Sequence, residues 1–577
     1  MKKFSTIYHA KTAFIASVVL CFAVCSFGAA ERHLANDGKA GLYAKSIDRV
    51  LRMDENHIDL ATAALLVSQH WNPDLNIIRY RGKIDEMAWV IKDRMIQERT
   101  GRGPGTVAII NDYLYKELKF KAVSKADDPL DLFLDSVFDR RQGYCLSLSI
   151  LYLSLAERLN LPIYGVVVPG HFFVRYDDGK NCFNIETTSE GATPPDSHYI
   201  EKFKITGKEP DSTYLKNLTK VQTLGCLFNN LGNLYQEANN VNAAQWSLEA
   251  AVEINPSLAL SHTNLGNVYL KQGNFDKAVA EYKQALRTSD DDAKTHNNLG
   301  NAMSSIGRYA EAVREYKTAI DLDPNLTEAY RNIAGAYRQT GEYERAIAAL
   351  KKAIEFDRQS SELYAQFGET YAAMQDYDRA IPMYIKALSL KPDTTVSTNL
   401  AYAYMEKGQV DNAIEQFTIA IRQEPLNANL YYALGQAYNK LDNFDEEIAA
   451  YKQAVALNPK MTGALLNLGN AYQEKNMYDA AIREYKKALV AEPNNARLYY
   501  NLGVAYSRLE KHTDAAKEFV AAIALEPKFP DAHAALAVSC YMLRKYDVAW
   551  DHAKTAKKLG YDVPKDLYEE LYRKVNK

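Results

Sequence analysis

The triplet Asn-Leu-Gly returns along this chain at Asn230-Leu231-Gly232, Asn264-Leu265-Gly266, Asn298-Leu299-Gly300, Asn467-Leu468-Gly469 and Asn501-Leu502-Gly503, spaced by 34 residues or a multiple of 34 less one. A small residue lies 12 positions after the glycine position (Ala244, Ala278, Ala312, Ala346, Ala380), and a proline closes most units (Pro256, Pro324, Pro392, Pro425, Pro459, Pro493, Pro527). This period restricts the fold to stacked helix pairs. The small residues let two antiparallel helices approach closely, and the proline ends the second helix by denying the next a continuous backbone. Ten units begin at Gly225, Ala259, Ala293, Thr327, Ser361, Thr394, Ala428, Thr462, Ala496 and Pro530. Departures are local: Glu447 stands where a small residue belongs, Asp290 and Arg358 replace the closing proline, and one residue is missing between the fifth and sixth units. Residues 564–577 carry Glu569, Glu570, Arg573 and Lys574 on one side and are predicted to form a solubilising cap helix.

The pattern is that of tetratricopeptide repeats, and the resemblance covers about 60% of the chain. It implies an all-α superhelix whose first helices line a groove that binds peptide or protein ligands. The sixth position of the unit is Asn at Asn230, Asn264, Asn298, Asn332, Asn399, Asn467 and Asn501. A carboxamide both donates and accepts, so such a row is suited to pairing with successive peptide amides. The alternative is that Asn was copied with the repeat by duplication. The array locally resembles the repeat region of the O-linked N-acetylglucosamine transferases, which carries a similar asparagine ladder. The transferase activity is not implied.

At 577 residues with 47% apolar and 24% charged residues, the chain has the composition of soluble protein but is too long for one core. Lys plus Arg (69) nearly balances Asp plus Glu (72) with no basic runs, which excludes nucleic acid as an expected partner. Met1-Lys2-Lys3, an apolar run from Thr12 to Phe27 and the small residues Gly28-Ala29-Ala30 have the layout of a secretory signal over 1–30. The 16-residue run is short of the roughly 20 residues that span a bilayer, so cleavage and export to the periplasm or beyond are expected, with no stable span afterwards. Cleavage leaves Cys145, Cys182, Cys226 and Cys540, too widely separated for a disulfide scaffold. Cys226 and Cys540 fall on inward-facing helical positions and are predicted as core thiols.

Before the repeats the organisation changes. Helical apolar spacing covers 58–67, 84–96 and 106–118, and the Gly-rich turn 101–105 lacks the Gly-Lys-Ser/Thr ending of a phosphate loop. Residues 146–159 are predicted as a buried helix, and 163–168, 172–176 and 182–187 as strands, the last two joined by an Asp177-Asp178-Gly179-Lys180 hairpin turn. Cys145 opens that helix, where unpaired backbone amides stabilise a thiolate. His171 begins a neighbouring strand and can accept the thiol proton, while Glu186, on the next strand, can hold the imidazole in the useful tautomer. Asn184 faces the same side as Glu186 and is the reserve orienting group, and Gln142 with the Cys145 amide is a candidate oxyanion donor. His70, His198, His262, His296, His512, His533 and His552 show no metal-ligand spacing and are predicted as surface or groove residues. No metal or other cofactor is expected.

The runs Asp139-Arg140-Arg141-Gln142-Gly143-Tyr144-Cys145, Leu155-Ala156-Glu157-Arg158-Leu159-Asn160-Leu161-Pro162 and Pro169-Gly170-His171-Phe172-Phe173-Val174-Arg175-Tyr176 resemble the transglutaminase-like superfamily, in its bacterial branch followed by tetratricopeptide helices. The resemblance implies a papain-like Cys-His-acid site, carried here by Cys145, His171 and Glu186, with Glu where Asp is usual. The expected fold is an α+β papain/transglutaminase-like domain over 43–205, a linker over 206–224, and an all-α tetratricopeptide solenoid over 225–563 capped by 564–577. Two functions fit. One is an exported cysteine hydrolase or acyltransferase acting on amide bonds through a thioester. The other is an exported interaction scaffold whose front domain is a retired enzyme.

Overall fold

The computed structural model describes residues 39–123, 128–203, 205, 214–288 and 292–576; the leader expected over 1–30 lies outside them. The chain divides into two compact units, 1–290 and 291–577.

The first unit begins with α1 (Ile47–Leu51), α2 (Leu60–Trp71), α3 (Ile77–Gln97) and α4 (Gly105–Asn111), the last running into a π turn at Asp112–Glu117. Two short strands, β1 (Lys121–Ala122) and β2 (Gln142–Gly143), pair in parallel around α5 (Leu134–Arg140). At the centre stands α6 (Cys145–Leu159), with 13 of its 15 residues buried. Leucine and other apolar residues fall on every side of it, as in an interior helix, and the polar side chains it carries are mostly buried with partners. Arg158, inside it, is held by Asp59 at 3.1 Å and Asp85 at 2.5 Å, the pairing a buried cation requires. The antiparallel sheet β3 (Ile163–Val168), β4 (His171–Asp177) and β5 (Cys182–Ile185) follows in sequence order, and α6 packs on β3 and β4. The β3–β4 turn is Pro169-Gly170, with Gly170 at φ +72°, a conformation natural to glycine. α7 (Asp196–Phe203) packs on one face of the sheet, with Tyr199 in one buried cluster with Val166, Val168 and Phe173.

The first repeat helix, α8 (Lys220–Glu237), starts before Gly225, inside the segment expected to be linker. Thr219 and Gln222 cap it reciprocally, and Lys220 ties that extra turn to the preceding domain. The Lys220 amide donates to Glu55 Oε1 (2.7 Å), and its Nζ donates to Ile58 O (2.9 Å) and Glu157 Oε1 (2.5 Å). Trp71 meets Tyr235 at 5.6 Å between ring centroids, and His70 meets Trp246 of α9 (Val241–Ile254) at 4.8 Å. A second helix pair, Ala259–Lys271 and Phe275–Thr288, completes this unit.

The second unit contains eight further pairs, from Ala293–Ser305 with Tyr309–Leu322 to Pro530–Met542 with Tyr546–Lys558, and a last helix, Lys565–Val575. Leu571 of that helix is fully buried, and Tyr568 packs on Trp550 at 4.6 Å. The repeat glycine faces the side chain 16 residues on, Leu248 for Gly232 and an aromatic ring for the others. A β-carbon at Gly266, Gly300, Gly368, Gly435, Gly469 or Gly503 would come within 2.6 Å of Tyr282, Tyr316, Tyr384, Tyr451, Tyr485 or Phe519 respectively. The hydroxyls of Tyr282, Tyr316 and Tyr485 donate to Asn267, Asn301 and Asn470, so these buried phenols are satisfied. Cys226 and Cys540 are buried free thiols, and Cys145 and Cys182 are free as well.

Candidate functional site

Cys145 is the first residue of α6, and its environment fixes where that helix begins. The Tyr144 amide donates to Ser147 Oγ (2.9 Å), and Ser147 Oγ donates to the Asp131 carbonyl (2.6 Å). A β-carbon at Gly143 would lie 2.6 Å from Ser147 Oγ and 2.8 Å from Val137, so only glycine lets the chain enter the helix along this path. The thiol is free and half-buried at a helix N-terminus, where negative charge is favoured.

His171 is the first residue of β4, delivered by the Pro-Gly turn. Its Nε2 lies 2.7 Å from Glu186 Oε2, and the Cys145 side chain reaches the same imidazole. With Nε2 engaged by the carboxylate, Nδ1 is the ring nitrogen left for sulfur. Burial, the largest influence on His171, lowers its pKa, but hydrogen bonds and charge from Cys145 and Glu186 outweigh it and raise the imidazole to about 9.

Glu186 directly follows β5 and caps a short 3-10 turn, Thr187–Ser189. Its Oε1 accepts from the Thr188 amide (3.1 Å) and hydroxyl (2.6 Å), and its Oε2 accepts from the Tyr199 hydroxyl (2.9 Å) as well as facing His171. Burial is again the largest influence and raises the carboxyl. The His171 bond and charge, with the Thr188 donors, overcome it and hold Glu186 at about 2. The turn is fastened to the nucleophile's helix, since Thr187 Oγ1 is 2.9 Å from Ser149 Oγ and donates to the Cys145 carbonyl at 3.4 Å.

Cys145, His171 and Glu186 therefore come together, with His171 in contact with both of the others. Asn184 does not join them: it accepts from Arg175 Nε (2.8 Å) and donates to Asp196 Oδ1 (2.7 Å) and Pro194 O (3.0 Å). Gln142 turns its Nε2 to the Asp131 carboxylate, at 3.2 and 3.4 Å. Thr188 and Tyr199 were missed by sequence reasoning. Thr188 was accessible from a Glu-Thr-Thr-Ser run with capping chemistry, whereas nothing local to Tyr199 distinguishes it.

The repeat asparagines spend much of their donor capacity within the array. Nδ2 of Asn264, Asn332 and Asn501 donates to Asn229, Asn297 and Asn470 at 2.9, 3.0 and 3.0 Å, bracing one pair against the last. Asn467 Nδ2 reaches the hydroxyls of Tyr432 (3.4 Å) and Tyr451 (3.3 Å), and Asn230 Oδ1 accepts from Asn229 (3.3 Å). Asn298 and Asn399 are half-buried on their helices. Two histidines expected at the surface or in the groove are buried. His262 is held by Glu281 (2.7 Å) and the Pro256 carbonyl (3.1 Å), and His533 by His552 (2.8 Å) and the Pro527 carbonyl (3.2 Å).

Comparison with known proteins bears on both parts. A family model described as the transglutaminase-like superfamily matches residues 78–227, and several tetratricopeptide repeat models match segments from 227 to 529. The chain is 27% identical over 218 residues to a UPF0162 protein of Xylella fastidiosa, covering 36% of this chain and 75% of that one. To a UPF0162 protein of Pseudomonas aeruginosa it is 30% identical over 134 residues, 23% of this chain and 50% of the relative, so it spans only half of that protein. Among solved structures, the MamA protein is 30% identical over 29% of this chain and 92% of its own, at a TM-score of 0.28. The chain thus carries a transglutaminase-like superfamily domain followed by an array of tetratricopeptide repeats.

Proposed function

We propose that this protein is an exported cysteine enzyme that acts on amide bonds of protein or peptide substrates held by its repeats. The observation that carries the reading is the line of contacts from Cys145 through His171 Nε2 to Glu186 Oε2. An acceptor-only carboxylate fixes the Nε2–H tautomer and leaves Nδ1 to take the thiol proton. The Cys145 thiolate then attacks the carbonyl carbon of a side-chain or peptide amide. As the C–N bond breaks, the His171 imidazolium gives its proton to the departing nitrogen, and a thioester remains on Cys145. Water or an amine attacks that thioester, His171 takes the incoming proton, and the thiol is restored, giving an acid or a new amide. The tetratricopeptide architecture suits protein or peptide binding, which supports a macromolecular substrate. Export rests on the leader-like composition of residues 1–30, which N-terminal sequencing of the processed protein would test.

The site itself is tested by measuring alkylation of Cys145 by iodoacetamide as a function of pH, in the protein and in His171→Ala. Reaction near pH 6 that disappears with His171 supports an ion-paired nucleophile. An inert thiol, or one indifferent to His171, leaves the scaffold reading.

A further inference from the structure

Three side chains on one face of β4, His171, Phe173 and Arg175, are each met by a residue of α7. Phe203 stacks on His171 (5.8 Å, 14°), Tyr199 stacks on Phe173 (4.0 Å, 9°), and Asp196 Oδ1 accepts from Arg175 Nη2 (2.6 Å). The spacing 196, 199, 203 is one stripe of a helix, so α7 lies along the strand that presents the histidine and is fastened to it at three points. Of these contacts one also reaches the acid. Tyr199, only 1% exposed, donates to Glu186 Oε2, the oxygen that faces His171 Nε2. A carboxylate offers about four acceptor positions. Thr188 fills two on Oε1, and Tyr199 and His171 divide the two on Oε2.

We propose that Tyr199 is a positioning residue of this site, whose hydroxyl shares Glu186 Oε2 with His171 and thereby limits how firmly the carboxylate retains the imidazole proton. A donor on an anionic oxygen disperses its charge and weakens the competing bond from the same oxygen. Thr188 holds the other oxygen, so loss of the phenol leaves the carboxylate in place but more basic toward His171. The catalytic meaning rests on the cysteine-enzyme reading: an imidazolium held too tightly is a poorer acid for the leaving nitrogen. The charged and titratable groups around the pair are Cys145 from α6, Tyr115 from the π turn, Glu190 beside it, and Arg175 and Asp196 beyond Tyr199. Tyr199→Phe changes none of them and keeps the stacked ring.

The test is the titration midpoint of His171 by NMR in the full chain labelled at the histidine Cε1, assigned with His171→Ala, for the parent and Tyr199→Phe. The expected result is an upward shift of at least about half a pH unit, with the alkaline limb of Cys145 alkylation moving the same way. Thr188→Val, which removes a donor from the other oxygen, is expected to shift the midpoint upward by less. An unchanged or lowered midpoint in a folded Tyr199→Phe overturns the proposal. Should that variant not fold, the Thr188→Val midpoint decides: no rise there overturns it equally. The two readings separate. An inert Cys145 with a raised His171 midpoint removes the enzyme and keeps Tyr199 as the tuning group, while a reactive Cys145 with an unmoved midpoint does the reverse.

Discussion

A β-carbon placed on Gly300 would stand 2.5 Å from the ring of Tyr316, closer than any real pair of carbons packs. The glycine is therefore a hole shaped for that ring. Gly300→Ala is expected to force the ring or the helix aside and destabilise the repeat by about 1–3 kcal/mol, as overpacked cores do. Thermal melts and local hydrogen exchange in 293–322 would register it, and Gly335→Ala, where the added carbon meets nothing within 4 Å, is the control expected to leave that exchange unchanged and to raise stability by up to about 1 kcal/mol, as alanine for glycine inside a helix does.

Glu447 occupies a small-residue position and is 1% exposed; Oε1 accepts from Asn439 (3.0 Å) while Oε2 has no partner. Burial, with the nearby charges of Asp442 and Glu474, raises this carboxyl to about 7 from an ordinary 4.5. The folded state thus keeps a proton that the unfolded chain loses, and stability falls as pH rises from 4.5 to about 7, then stays low. The difference is on the order of 3 kcal/mol. Glu447→Ala is expected to abolish this pH dependence in urea melts followed at the repeats and to stabilise the protein most at pH 8.

The His171–Glu186 pair has a window of its own. The stabilisation from His171 is fully present below pH 6.5 and lost as pH rises through about 9, whereas that from Glu186 is present above 4.5 and lost as pH falls through about 2. Glu186→Gln is therefore expected to lower stability most between pH 4.5 and 6.5, by roughly 3 kcal/mol, with little effect near pH 10. Melting temperatures of parent and variant that ran parallel from pH 5 to 10 would contradict the coupling.

Lys220→Met deletes the cation that Glu157 and the Ile58 carbonyl share at the start of α8. Glu157 keeps Lys39 (2.8 Å) and the Leu60 amide (3.1 Å), so the expected loss is modest, about 1–2 kcal/mol. Faster hydrogen exchange confined to the first turn of α8 is the signature to look for.

How far these features were readable from sequence depends on the range of the interaction. Gly300 and Ala312 announce a helix pair because the repeat supplies many examples of one local rule. Cys145, His171 and Glu186 were readable as an ordered set because each sits at the end of an element with its own periodicity, and the structure brings the three together. Tyr199 was not, since its partner lies on another element and no spacing connects them. The burial of His262, expected at the surface or in the groove, is not legible because its helix position gives no hint of Glu281, 19 residues on, or of the Pro256 carbonyl, which together let a polar ring be buried. The same holds for the asparagine row, whose nitrogens are turned to neighbouring side chains that only the stacking brings near.

The early start of α8 has one more consequence. Leu227 of that helix lines the same small interior space as Ser147, the residue that sets where the Cys145 helix begins. The transglutaminase-like core is thus finished by the first repeat, and a cut at residue 205 or 224 would leave it short of a wall. The first repeat pair therefore belongs to that domain's packing as well as to the start of the array.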